Sequence, residues 1–85
     1  MHRTYTLVTI HEAETNEQAA RFVSNVTDGE SLVARLRIWL ARTNGVDHGL
    51  GYDTRENDEG HLVITFNGSR DNVLYIAVCE PVEVL

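Results

Sequence analysis

Asp47-His48 is the dipeptide in this chain best suited to proton transfer, a carboxylate beside an imidazole. General acid–base work needs the carboxylate to hold one ring nitrogen while the other meets a nucleophile or a substrate. Side chains adjacent in sequence rarely face one another, and no nucleophile stands out near this pair. The dipeptide follows a helix stop and precedes Gly49 and Gly51, which is the setting of a polar loop. A small enzyme built on Asp47 and His48 therefore ranks third among the functional readings below.

The remaining residues with chemical potential form no constellation. His2, His11, His48 and His61 lack the short fixed spacings of a zinc site, and no catalytic or metal-ligating set is expected. Cys79 is the single cysteine, so no intramolecular disulfide can form, which fits a reducing, cytoplasmic compartment. A reactive thiol would need a helix N-terminus or nearby cations, and Glu80 beside it opposes ionisation; packing is the expected role. Gly49-Leu50-Gly51 lacks the third glycine and the strand–helix context of a phosphate loop. It reads as a bulge or a close backbone approach. No cofactor is expected.

The carboxylates carry more information. Glu17, Asp28 and Glu30 sit where helix starts want them. Asp53, Glu56, Asp58 and Glu59 crowd one expected hairpin tip with only Arg55 among them. They form a solvated turn guarding a sheet edge, or an acidic surface that meets a basic partner in a fast, salt-sensitive encounter.

These residues must be positioned by a small number of elements. Arg3 to His11 is rich in Thr, Tyr, Val and Ile and reads as a strand. Thr15-Asn16-Glu17-Gln18 has the form of a capping box, followed by Ala19, Phe22, Val23 and Val26 at helical spacing. A short helix is expected there, with Glu17 and Arg21 paired along it. Thr27-Asp28-Gly29-Glu30 has the same form and opens a second helix, Asp28 to about Thr43. Leu32, Val33, Leu36, Trp39 and Leu40 make its apolar stripe. Asn44-Gly45 stops it.

The C-terminal half reads as an antiparallel meander. Leu62, Ile64 and Phe66 alternate, as do Leu74, Ile76 and Val78. Apposing these faces pairs Phe66 with Leu74 and Ile64 with Ile76. Across the Asp58-Glu59-Gly60 turn the same logic pairs Leu50 with Phe66 and Tyr52 with Ile64. Pro81 ends the last strand or sets it at an edge. The first strand is expected antiparallel beside the last. The expected fold is one α+β domain over residues 1–85, ordered β-α-α-β-β-β. Two short helices then pack on one face of a four-stranded, mainly antiparallel sheet.

That arrangement leaves one sheet face bare. Val63, Thr65, Val73, Tyr75, Ala77 and Cys79 would share it, which is too apolar for a solvated surface. The C-terminal tail, a second copy of the chain or another protein should cover it.

Charge narrows the function classes. Thirteen acidic residues against seven basic ones, all Arg, give a net charge of −6. Such a chain is a poor partner for nucleic acid or an anionic membrane and a fair one for a basic protein. No signal peptide and no apolar run of membrane-spanning length is read. The leading expectation is a small acidic, non-catalytic protein-binding domain that occupies a partner's surface. Inhibitors, immunity-type proteins and phage or mobile-element accessory proteins work this way. A structural homodimer or accessory subunit joined through the outer sheet face comes second.

Overall fold

The computed structural model describes residues 3–44, 51–68 and 72–84. It is an α+β fold with one antiparallel sheet and one helix. The elements are β1 (Arg3–Glu12), β2 (Gln18–Ser24), α1 (Gly29–Asn44), β3 (Gly51–Glu56), β4 (Leu62–Asn67) and β5 (Val73–Val84). The five strands lie in the order β2-β1-β5-β4-β3.

The expected first helix is a strand. Thr15 does use its hydroxyl on a backbone amide, but on that of Glu17 (3.2 Å), and it donates to the Glu12 carboxylate. Asn16 takes a left-handed φ of 60°, a backbone state that cannot begin a helix. Glu12 N–H donates to Glu17 O and closes the loop as a hairpin. Beyond it Ala20, Phe22 and Ser24 point inward while Ala19, Arg21 and Val23 point out. The same residues fit both periods. Pairing with β1, Val8 opposite Phe22 and Ile10 opposite Ala20, decides for the strand. The Glu17–Arg21 helical pair therefore does not arise.

α1 forms where expected, with its cap one residue later. The Ser31 amide donates to Asp28 Oδ2 at 3.0 Å, and Leu32 N–H donates to the Asp28 carbonyl. Asp28, not Thr27, is the N-cap. Leu32, Val33, Leu36 and Leu40 are buried, and Trp39 packs on their margin.

β5 lies antiparallel between β1 and β4, so the first and last strands are neighbours. It runs through Pro81 instead of ending there. Pairing with β4 stops at Leu62–Cys79, so Pro81 has only β1 beside it and sits at a local edge.

Two registers differ from expectation. β4 and β5 pair Ile64 with Ala77 and Leu62 with Cys79, one residue from the apposition of Ile64 with Ile76. The slip turns Tyr75, Ala77 and Cys79 toward α1. β5 is apolar on both faces, so alternation alone could not choose. The core chooses by size. Ala77 lies between Ile10 and Ile64, and Cys79 between Val8 and Leu62. A small residue between two larger ones leaves room for the leucines of α1. β3 pairs Tyr52 with Phe66, Thr54 with Ile64 and Glu56 with Leu62, which keeps the expected face but closes the hairpin more tightly.

Candidate binding surfaces

α1 covers one face of the sheet, and among the described residues no element lies over the other. On the inner face Val8, Ile10, Ile64, Phe66 and Ala77 have no exposed surface. On the outer face β1 presents Leu7, β4 presents Val63 and Thr65, and β5 presents Ile76, Val78 and Val82. Most of these are half-buried; Val63, enclosed by its neighbours, is 3% exposed, whereas Val23 at the β2 border is 59% exposed. Glu80 stands within the patch, opposite Leu7 and between Val78 and Val82, and Arg21 on β2 with Asp53 and Arg55 on β3 flank it.

Of the residues expected on the bare face, Val63 and Thr65 lie there. Tyr75, Ala77 and Cys79 lie on the opposite one, for the reason of register given above. Val73 stands 42% exposed beside the irregularity where Leu74 is the extra residue between the Phe66–Tyr75 and Asn67–Val73 pairs. The outward set instead contains Ile76 and Val78, the residues that alternation assigned to the core.

The acidic residues are exposed but not assembled into one cluster. Asn57 to His61 form the β3–β4 turn. Asn57 Oδ1 accepts from the amides of Glu59 (3.0 Å) and His61 (2.9 Å), and its carbonyl accepts from Gly60 N–H. Gly60 has φ of 79°, the left-handed state that lets a three-residue hairpin loop match the strand twist. Asp58 and Glu59 project from this fixed turn, and Glu59 lies 3.5 Å from His61 Nδ1. Glu56 shares the inner side with Thr54. Asp53 lies about 10 Å back along β3, three residues at the usual strand rise, and on the outer side. There its carboxylate accepts from Asn67 Nδ2 at 3.3 Å.

The remaining candidate groups serve packing or stand apart. Cys79 is buried, and burial pushes its thiol pKa up to about 11, so it is protonated and unreactive near neutrality. Arg37 on α1 lies 5.9 Å from the centre of the Tyr52 ring and ties the helix to β3. His11 encloses its Nδ1 without a hydrogen-bond partner, next to the irregularity in the β1–β2 pairing. Spacing could not single it out, because that enclosure is a product of register. Among the described residues no group of His, Cys, Asp and Glu comes together to hold a metal ion. No described helix is long and apolar enough to cross a membrane. Asp47, His48, Gly49 and Leu50 lie outside the described residues, as does His2.

Comparison of the chain with protein-family models, with curated proteins and with solved structures finds no match.

Proposed function

We propose that this chain is a small, non-catalytic protein-binding domain that acts by covering a partner's surface, as inhibitors, immunity-type proteins and mobile-element accessory proteins do. The observation that carries the reading is the outer sheet face, where Leu7, Ile76, Val78 and Val82 have no covering element among the described residues. Monomeric proteins rarely leave a contiguous apolar sheet face to water. The net charge of −6 favours a basic partner, with Asp53 exposed beside the patch and Asp58 and Glu59 exposed on the adjoining turn for the first encounter. The reading includes no cofactor and places the chain, with its lone cysteine, in the cytoplasm.

A photoreactive amino acid placed at Val78 tests this in cells that make the protein. Heteromeric adducts should form from Val78 and not from Ile38, which is exposed on the opposite surface. Equal yields at the two positions, or none at Val78, would refute it.

Asp53 and Arg55 favour a second reading, a homodimer through the same face. Both point outward from β3, two residues apart, and carry opposite charge. A two-fold axis across the strands would set each Arg55 over the partner's Asp53. An axis along the strands would bring Arg55 toward Arg21 of β2. The first is self-complementary. Asp53→Arg and Arg55→Asp should each weaken self-association, and an equimolar mixture of the two variants should restore it. Light scattering that finds the unmodified protein monomeric at all concentrations excludes this reading and leaves the first intact.

A further inference from the structure

We propose that the free edge of β2 binds an extended peptide segment of another protein, apolar at alternate positions and bearing a carboxylate for Arg35. This surface is separate from the outer face of the sheet.

β2 is an outermost strand, so one row of its backbone N–H and C=O groups has no strand partner. A groove of about 320 Å³ lies at the C-terminal end of that edge, where Phe22, Val23, Ser24 and Asn25 line it. On the helix side Phe22, Leu32 and Leu36 form its floor, with Arg35 at the rim; on the other side it reaches Val23 and Tyr5. Phe22 is only half-buried, and Val23 is the most exposed large apolar residue described, at 59%. A strand added to β2 would send successive side chains to alternate faces of the sheet. One set would fill the hollow over Phe22, and the other would cover Val23. The groove thus lies where an added strand would pass Phe22, Val23 and Ser24, with main-chain hydrogen bonds giving affinity and the hollow giving selection.

Charge identifies the chemistry of the occupant. Arg35 is exposed and has no ion-pair partner among the described residues. Arg42 lies seven residues on, about two turns along the same flank of α1. Arg21 is exposed at the centre of β2. In a chain of net charge −6, two of the seven arginines, Arg35 in the groove lining and Arg21 on β2, stand at this edge. An acidic segment is favoured, since a guanidinium and a carboxylate form the stronger kind of hydrogen bond. A second copy of β2 is the wrong occupant. Gln18–Ser24 contains no carboxylate, and antiparallel self-pairing about Arg21 would set two guanidiniums opposite each other.

Random dodecapeptides displayed on phage and panned against the full chain provide the test. Selected peptides should alternate apolar residues and carry Asp or Glu. Arg35→Glu, an exposed change checked for folding by circular dichroism, should weaken them by about tenfold or more. N-methylation of alternate peptide residues should abolish binding in one frame and spare it in the other, because only one row of amides faces β2. Failure to select any peptide overturns the proposal. So does indifference to Arg35→Glu, or equal binding in both methylation frames.

Discussion

Both faces of the sheet carry apolar residues on their central strands, in different surroundings. Under α1, Ile64 lies beside Ala77 with both fully buried; one residue along each strand, Thr65 lies beside Ile76 with both half-exposed. Neither face is the polar, solvated side that an antiparallel sheet commonly presents. What separates them is the helix. The inner face interleaves small and large residues, Ile10–Ala77–Ile64 and Val8–Cys79–Leu62, and accepts leucines from α1. The outer face sets Val78 beside Val63 with no small residue between them. It is a flat surface that can meet another flat surface. Core and outer face thus differ here in relief as well as in cover.

The largest effect that could break this contrast comes from truncating one isoleucine on each face. Ile64→Ala should cost about 2–5 kcal/mol, because it removes buried methylenes and leaves a cavity under α1. That is a large share of the roughly 5–15 kcal/mol that holds a domain together. Ile76→Ala, on the half-exposed side, should cost about 1 kcal/mol or less. Urea unfolding of the two variants measures both. Equal costs would mean that the outer face is covered in solution, and the contrast would fail.

How far these features were legible from the residues follows from the same contrast. β1 and α1 were readable because each has one period that fits: alternating Thr, Val and Ile in the first, the Leu32–Leu36–Leu40 stripe in the second. Chain direction favours β1 beside β5 without deciding it, and the observed pairing decides it. The segment Ala19–Val26 was not readable locally, because Phe22 and Val23 satisfy a helical and a strand pattern equally. The decision rests on β1 needing a partner, which is a long-range term. β5 defeated alternation for a related reason. With Leu74, Ile76 and Val78 on one face and Tyr75, Ala77 and Cys79 on the other, only the volume available beneath α1 selects the register. The acidic residues looked like one cluster in sequence. A strand sends Asp53 and Glu56 to opposite sides, so proximity in sequence did not become proximity in space. The edge groove beside β2 has no counterpart in a helical reading of that segment.

Cys79 sharpens the contrast by a chemical route. It and Val78 are chain neighbours on opposite faces. The native thiol is buried, with its pKa raised to about 11. In a Cys79→Ala background, Val78→Cys should react with iodoacetamide far faster than native Cys79 does at the same pH, by about tenfold or more given the thiolate dependence of the reaction. The linkage also has a definite sign. A thiol whose folded pKa lies above its ordinary 9.0 ionises first in the unfolded chain. Between about pH 9 and 11 the unfolded state therefore holds fewer protons, and stability falls as pH rises. Cys79→Ala should flatten that slope in urea midpoints measured across the window. The Val78→Cys variant, lacking the buried thiol, should show the flattened slope as well.

The smallest expected effect concerns the start of the helix that makes the inner face inner. Asp28 is exposed, and its carboxyl is held below the ordinary 3.8, first by the Ser31 hydroxyl and then by the Ser31 amide. A depressed folded pKa means that the contribution is fully present above the unfolded value. It is lost as pH falls through the folded one. Asp28→Ala removes the acceptor and should lower the urea midpoint at neutral pH by less than Ile64→Ala does. Asp28→Asn keeps an acceptor without the charge and should recover most of the loss while removing the acid dependence. The helix lies over the inner face alone, so amide exchange should quicken first at Ser31 and Leu32. The slowest amides of the β1–β5 ladder should change only by the global loss of stability. Faster exchange spreading evenly through the strands would show that α1 and the sheet open as one unit. The inner face would then exist only as long as the cap does.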